Sequence, residues 1–284
     1  MTTFIRRRGL GYTSCNGVAD KMEGSVNVAR SDGYIPEDST YIRWGCVSTI
    51  PAGATVINLA SAIHEVSEKG VFRKKMADAG LAPKTWLSID DCPTSEIEQG
   101  VVTRPMLHAG GRDFNLSFTW DGVARLAQQY GESSYYISKY IPKEREFRVV
   151  VAQGRVVFVV EKVVDDTSSH TWNRQQGARF IPVKWNDWNL LVVRKAVEAH
   201  ALSSLHFSGA DLMVDAEGNV NVLELNSAPT LTSPYRQTCM AKVFDWMISY
   251  GKADIPRIEE RGGWKKFIHP AISDRALMVE GTVV

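Results

Sequence analysis

The stretch Gly209–Pro229, GADLMVDAEGNVNVLELNSAP, holds the pattern on which the reading of this 284-residue chain turns. Two apolar runs, Ala210–Val214 and Val220–Asn226, flank Glu217-Gly218, which sits midway between them as the turn of a hairpin. A turn centred between those two residues pairs position 211 with 224 and 209 with 226. Side chains two apart on a strand share a face, so Glu224 and Asn226 project together, and Asp211 stands opposite Glu224. Facing carboxylates repel unless one is protonated or a cation lies between them. An oxygen trio of Asp, Glu and Asn is what a hard cation such as Mg²⁺ selects, water and phosphate oxygens completing its octahedron. From the hairpin alone, a metal site and a solvent-facing acidic strand pair stand as equal readings.

Outward from this stretch, strand and helix signals alternate irregularly. Phe4–Arg7, Ser25–Ala29, Tyr41–Trp44 and Thr55–Asn58 read as strands, with Ser14 as the cap of a helix over Cys15–Glu23. One helix is expected over Ser61–Ala79, closed by Gly80 with Pro83 just beyond. Asp90–Ser95 reads as a loop, Gln99–Thr103 as a strand, Asp121–Tyr130 as a helix, and Tyr135–Ile141 as a strand or hinge. Glu146–Val151 and Arg155–Lys162 form a valine-rich hairpin across Ala152-Gln153-Gly154. Helices are expected over Trp188–Leu205 and Gln237–Tyr250. The sum is an α+β chain with large antiparallel hairpins.

Composition narrows the class. A hydrophobic fraction of 44% and a charged fraction of 23% suit a globular protein. A net charge of +1 offers no global field for nucleic acid or an anionic membrane, so neither is an expected partner. No apolar run reaches the ~20 residues that span a bilayer, and the N-terminus lacks the apolar core of a signal peptide. The four cysteines and six histidines show no ligand spacing, which argues against zinc and for free thiols in a reduced, cytoplasmic setting.

The segment Gly209–Leu231, with its hairpin, its Asp and Glu-x-Asn, and the following Ser227-Ala228-Pro229, resembles the closing motif of the ATP-grasp superfamily. The chain as a whole is most similar to the short ATP-grasp proteins of bacteriophages, of the carboxylate–amine ligase type. That resemblance implies two α/β subdomains clasping ATP (66–138 and 139–250), a small α/β N-terminal domain (1–65) before them, and a C-terminal tail (251–284). It implies that Asp211, Glu224 and Asn226 hold magnesium, two ions in all, against the ATP phosphates. Lys69, and Arg104 in Val-Thr-Arg-Pro, match the family's phosphate-contacting lysines, while Gly110 and Gly111 stand where a glycine-rich lid covers the phosphates. The hinge Lys139-Tyr140-Ile141 matches the backbone that meets adenine, and Glu146 the ribose-binding glutamate. Arg148 shares a strand face with Glu146, and pairing with a cross-strand carboxylate such as Glu161 is its plain structural alternative. Lys162 and Arg174 resemble the basic groups on the transferring phosphate and the acyl-phosphate.

Departures bear on the substrate. Arginine replaces lysine at 104, Lys139 stands where an acidic residue is common, and Thr230 replaces a glycine. Gly209 stands where the dipeptide ligases carry arginine, which leaves Arg174 to supply the oxyanion contact. These argue against a D-alanine ligase. The resemblance implies an ATP- and magnesium-dependent ligase joining a carboxylate to an amine on small molecules, peptides or proteins, in the host cytoplasm if phage-encoded. Oligomeric state is open, a homodimer included. The rival reading is an ATP-binding regulatory or interaction protein without ligase activity.

Overall fold

In the computed structural model, the described residues are 1–8, 11–108, 113–166, 170–172, 177–251 and the short segments 257–259, 263–265, 278–279 and 282–283. The first four strands, β1 (Thr2–Arg6), β2 (Val26–Arg30), β3 (Thr40–Trp44) and β4 (Thr55–Ile57), form a parallel sheet in the order β2-β1-β3-β4. Parallel strands need cover on both faces, and the central pair accordingly buries Phe4, Ile5, Tyr41, Ile42 and Trp44. Helix α1 (Tyr12–Ala19) begins after Gly11 at φ 74°, earlier than expected, so Ser14 is not its cap. Ser14 lies in the first turn instead, and its hydroxyl accepts from the Leu231 N–H at 2.9 Å.

The single helix expected over Ser61–Ala79 is broken at Glu68 (φ −78°, ψ 73°) into α2 (Ala60–Ser67) and α3 (Lys69–Asp78). Neither proline nor glycine forces the break. Long-range contacts do: Arg73 of α3 donates to the Leu223 carbonyl at 2.9 Å, and Lys69 reaches Glu224. A second sheet follows, β5 (Thr85–Trp86), β6 (Val101–Pro105), β7 (Asn115–Ser117) and β8 (Tyr135–Lys139), antiparallel in the order β5-β8-β6-β7. Helices α4 (Thr94–Gln99) and α5 (Trp120–Tyr130) cover it around Ile97, Val101, Val123 and Ile137. The loop expected over Asp90–Ser95 therefore yields to α4 at Thr94.

The third sheet contains β9 (Arg145–Ala152), β10 (Arg155–Val163), β11 (Arg179–Val183), β12 (Phe207–Val214) and β13 (Val220–Asn226), antiparallel throughout in the order β11-β10-β9-β12-β13. Gln153 and Gly154, at φ 47° and 76°, make the two-residue turn with both residues left-handed that suits the sheet's twist. Helix α6 (Leu190–Leu202), capped by Asn189, packs one face through Val149, Val151, Ala196, Leu212 and Val222. Helix α7 (Pro234–Tyr250), capped by Ser233, and the first sheet cover the other through Val150, Ala152, Phe207, Phe244 and Trp44. Burial on both faces explains why Val156–Val160 reads as an unbroken apolar run.

The first and third sheets are also stitched by polar contacts. Asn58, fully buried at φ 66°, accepts from the N–H groups of His206 (2.8 Å) and Phe207 (3.1 Å) and donates to the Phe207 carbonyl (3.1 Å). The four cysteines are buried and free. No helix among the described residues is long and apolar enough to cross a membrane.

His200 of α6 is buried, with Nδ1 2.8 Å from the Ser208 hydroxyl, and burial, with His206 adding to it, holds its pKa down to about 4. A histidine kept neutral by the fold but free to protonate when unfolded withdraws stability as pH falls from about 6.5 toward 4. Urea denaturation across that range is expected to lose on the order of 3 kcal/mol from this residue. His200→Gln should flatten the slope; identical pH profiles in the two proteins would exclude His200 as its source.

Candidate active site

Strand register gathers the polar residues on one face at one end of the third sheet. One cross-strand row reads Val160, Arg148, Asp211, Glu224; the adjacent row reads Phe180, Lys162, Glu146, Met213. Asp211 pairs with Glu224 and Gly209 with Asn226, as the sequence predicts, but the turn is not centred between Glu217 and Gly218. It spans Asp215–Asn219, with Val214 opposite Val220, and a bulge at Leu223 restores the expected pairing further on. The bulge also reverses side-chain parity: Val220 and Val222 face the core under α6, whereas Glu224 and Asn226 turn to the polar face. Gly209 is fixed by the loop after β13, because a Cβ there would lie 2.8 Å from Pro229.

The two facing carboxylates are matched by cations. Arg148 grips Asp211 with two parallel hydrogen bonds, Nε at 2.6 Å and Nη2 at 2.7 Å, and Lys162 adds a third at 3.0 Å. Lys162 and Lys143 both pair with Glu146. Lys69 donates to Glu224 at 2.6 Å, and the Asn226 amide donates to the other Glu224 oxygen at 3.1 Å. Glu161, the alternative partner of Arg148, is held by Arg145 instead (2.7 and 3.0 Å). Burial pushes the Asp211 carboxyl up, yet Arg148 and Lys162 outweigh it and hold its pKa below the usual range. Burial opposes Glu224 likewise, and Lys69 keeps that group far below. Both carboxylates are thus ionised at neutral pH.

These groups form part of the wall of a cleft of about 640 Å³ between the second and third sheets. From the second-sheet side come Lys69, Arg73, Arg104, His108 and Tyr136. His108 Nε2 lies 2.9 Å from the Tyr136 hydroxyl, and burial together with Arg104 and Lys69 depresses its pKa to about 3, so the ring is neutral. Phe114 stacks on His170 at 5.2 Å, and His170 meets the Tyr140 hydroxyl at 3.2 Å. The Lys143 ammonium sits 4.6 Å over the Trp172 ring. Seven lysines and arginines line the cleft against three carboxylates, an excess that suits a polyanion.

Of the residues predicted from sequence, Lys69, Arg104, Glu146, Arg148 and Lys162 line the cleft together with Asp211, Glu224 and Asn226. The hinge Lys139-Tyr140-Ile141 also lines it. There the Lys139 ammonium turns to Glu96 (3.0 Å), and the Tyr140 N–H donates to the Gly100 carbonyl (2.9 Å). Gly110, Gly111 and Arg174 lie outside the described residues. Sequence reasoning missed Arg73, His108 and Lys143. Arg73 was the accessible one, since it follows Lys69 by one helical turn and shares its face.

No family model matches the sequence, and no curated protein matches it at the level of sequence. Similarity lies in three dimensions. The D-alanine–D-alanine ligase of Bacillus anthracis superposes with a TM-score of 0.62 at 12% identity, over 87% of this chain and 95% of that one. The ATP-grasp ligase PsnB, complexed with minimal precursor, Mg and ADP, gives 0.61 at 14% identity, over 84% and 94%. The macrocyclase MdnC of Microcystis aeruginosa, bound with precursor peptide MdnA, gives 0.59 at 13%, over 86% and 99%. The chain therefore has the ATP-grasp fold.

Breaking the Arg148–Asp211 fork removes the two-point partner of a carboxylate that is only 6% exposed and leaves it Lys162. Arg148→Met should lower the unfolding free energy at pH 7 by roughly 3 kcal/mol. Arg145→Met, which breaks the more exposed pair with Glu161, should cost less than about 1 kcal/mol. Equal losses in urea denaturation would mean that the fork is not the tighter constraint.

Proposed function

We propose that the protein is an ATP- and magnesium-dependent ligase that joins a carboxylate to an amine through an acyl-phosphate. The observation that carries this reading is the convergence of Asp211, Glu224 and Asn226 on a basic cleft in an ATP-grasp fold. The donor set fits magnesium: two ionised carboxylates on facing strands and an adjacent amide present hard oxygens in the cleft. Water and nucleotide oxygens would complete the shell around these three side chains. Held there, magnesium would supply charge neutralisation to the triphosphate.

The reaction places few demands on the chain beyond position and charge. The substrate carboxylate attacks the γ-phosphorus and ADP leaves; the amine then attacks the acyl carbonyl, an amide C–N bond forms, and phosphate leaves with the C–O electron pair. Lys69 and Arg104 reach the cleft from α3 and β6 and supply positive charge to the phosphate chain, as does Lys162 from β10. Arg174 is assigned to the acyl-phosphate. Backbone at Lys139-Tyr140-Ile141 receives the adenine, and Glu146, positioned by Lys143 and Lys162, faces the ribose. Arg148 acts through Asp211, which it holds in place. Gly110 and Gly111 are assigned to a lid that excludes water from the acyl-phosphate.

Residues 1–65, 66–138 and 139–250 are read as the N-terminal domain and the two clasping subdomains, supported by one sheet falling essentially within each range. Peptide and protein substrates belong to the proposal beside small molecules, because the PsnB and MdnC structures hold precursor peptides. A cytoplasmic setting and a bacteriophage origin belong to it as well. A second reading, an ATP-binding protein without turnover, draws support from the lysines and arginine that already satisfy both carboxylates.

Phosphate release is to be measured with Mg·ATP and a panel of carboxylate and amine acceptors, peptides included. Acceptor-stimulated release by the wild type, with a loss of at least ~10³-fold in Asp211→Asn and Glu224→Gln, is expected. Tight ATP binding without ADP formation under any condition would favour the second reading. Full activity in both variants would overturn the metal assignment.

A further inference from the structure

The contacts of the two carboxylates differ in a way that the proposed chemistry does not require. Asp211 is held by Arg148 and Lys162, whose strands lie beside it in a single sheet: β9 pairs β12 directly with Arg148 opposite Asp211, and β10 pairs β9. These partners are set by register, and the side chains of Arg148 and Lys162 are 13% and 5% exposed. Glu224 is held differently. Its Oε2 meets Lys69 at 2.6 Å, and its Oε1 takes the Asn226 amide at 3.1 Å. Lys69 belongs to no strand of this sheet. It is the first residue of α3 and spans to β13 at the end of a flexible stem, through one ammonium contact, while lining the cleft.

Arg73, one turn further along α3, bonds the Leu223 carbonyl at 2.9 Å, and the Val222 N–H bonds the Leu81 carbonyl at 2.8 Å. The docking of α3 against β13 therefore does not depend on the lysine. An ammonium on a four-carbon stem is a compact, rotatable charge, unlike the two-point fork of arginine. It is the cation of this group that can change partners without disturbing the sheet.

Resting on the assignment of Asp211, Glu224 and Asn226 as the ion site, we infer that Lys69 is a positioning residue that stands in for the divalent ion. Its ammonium occupies Glu224 while the cleft is empty of nucleotide and transfers to the phosphates when the nucleotide enters. A bare ion meets a lysine on one carboxylate and an arginine on the other, and like charges at such distances repel strongly in a partly buried site. A nucleotide brings both the oxygens that complete the shell and the anions that draw the lysine away. Ion and nucleotide then load together.

The test uses the full chain, Mn²⁺ as the probe and electron paramagnetic resonance to read the free ion. Without nucleotide, Lys69→Met should bind Mn²⁺ about tenfold or more tightly than the wild type, and adding Glu224→Gln to that variant should abolish the gain. Lys69→Gln, which keeps a polar terminus but no charge, should behave as Lys69→Met and serves if the latter does not fold. Wild type that binds Mn²⁺ alone as tightly as the variants overturns the stand-in role while leaving the ion site intact. Absence of protein-bound Mn²⁺ in every protein, even with a non-hydrolysable ATP analogue, overturns the ion site and this inference with it.

Discussion

Two ionised carboxylates facing each other across a β-ladder are the constraint around which the rest of this site is arranged. Such a pair is tolerated away from bulk water only where cations stand beside it. Arg148, Lys162 and Lys69 meet that condition, each from a different element, and the site is consequently a network rather than a patch. Glu146 extends it through Lys162 and Lys143. Each charged side chain has a partner of opposite sign within the group, and Asp211, Glu146 and Lys162 have two each. The same face of the sheet, a few residues along each strand, is wholly apolar under α7 and the first sheet. The sheet thus divides into a packed half and a charged half, and the cleft lies over the charged half.

Placing those charges takes three departures from regular structure. The bulge at Leu223 turns Glu224 and Asn226 away from the core that Val220 and Val222 occupy. The break at Glu68 redirects α3 so that Lys69 and Arg73 reach β13. Gly209 lets the Ser-Ala-Pro segment fold back against β12, where a side chain would strike Pro229. Remove the bulge and the carboxylates no longer share a face; straighten the helix and Glu224 loses its cation. Regular elements supply the scaffold, and the irregular points aim the chemistry.

This division also explains what could be read from the sequence. Strands β9 and β10 announced themselves through long valine runs, and the Asp211–Glu224 pairing followed from a hairpin centre that was off by half a residue and rescued by the bulge. Strand β7, three residues of Asn-Leu-Ser, carries no period and exists because β6 offers it a ladder. Strand β11, Arg-Phe-Ile-Pro-Val, is mostly exposed at an edge and holds a proline, which masks it in any window. The helix break was invisible because its cause lies some 150 residues away. Among site residues, the placement of Asp211 opposite Glu224 was legible through spacing and Lys69 only through the family resemblance, whereas His108 and Tyr136 meet only through the pairing of β6 with β8. Lys143 sits in a loop whose sequence gives no reason to expect a buried ammonium.

The same physics accounts for how a fold can match solved ligases over more than four-fifths of the chain at 12–14% identity. Most positions in the third sheet need only be apolar and of suitable size, a requirement that many residues meet. The charged half of the sheet needs particular residues, but few of them, and it needs them at register positions rather than in a contiguous motif. A small set of constraints spread over four strands and one helix leaves little for a sequence comparison to detect while fixing the backbone closely. Cleft-lining side chains outside the core and the charge network, such as the stacked Phe114 and His170, fall under neither constraint.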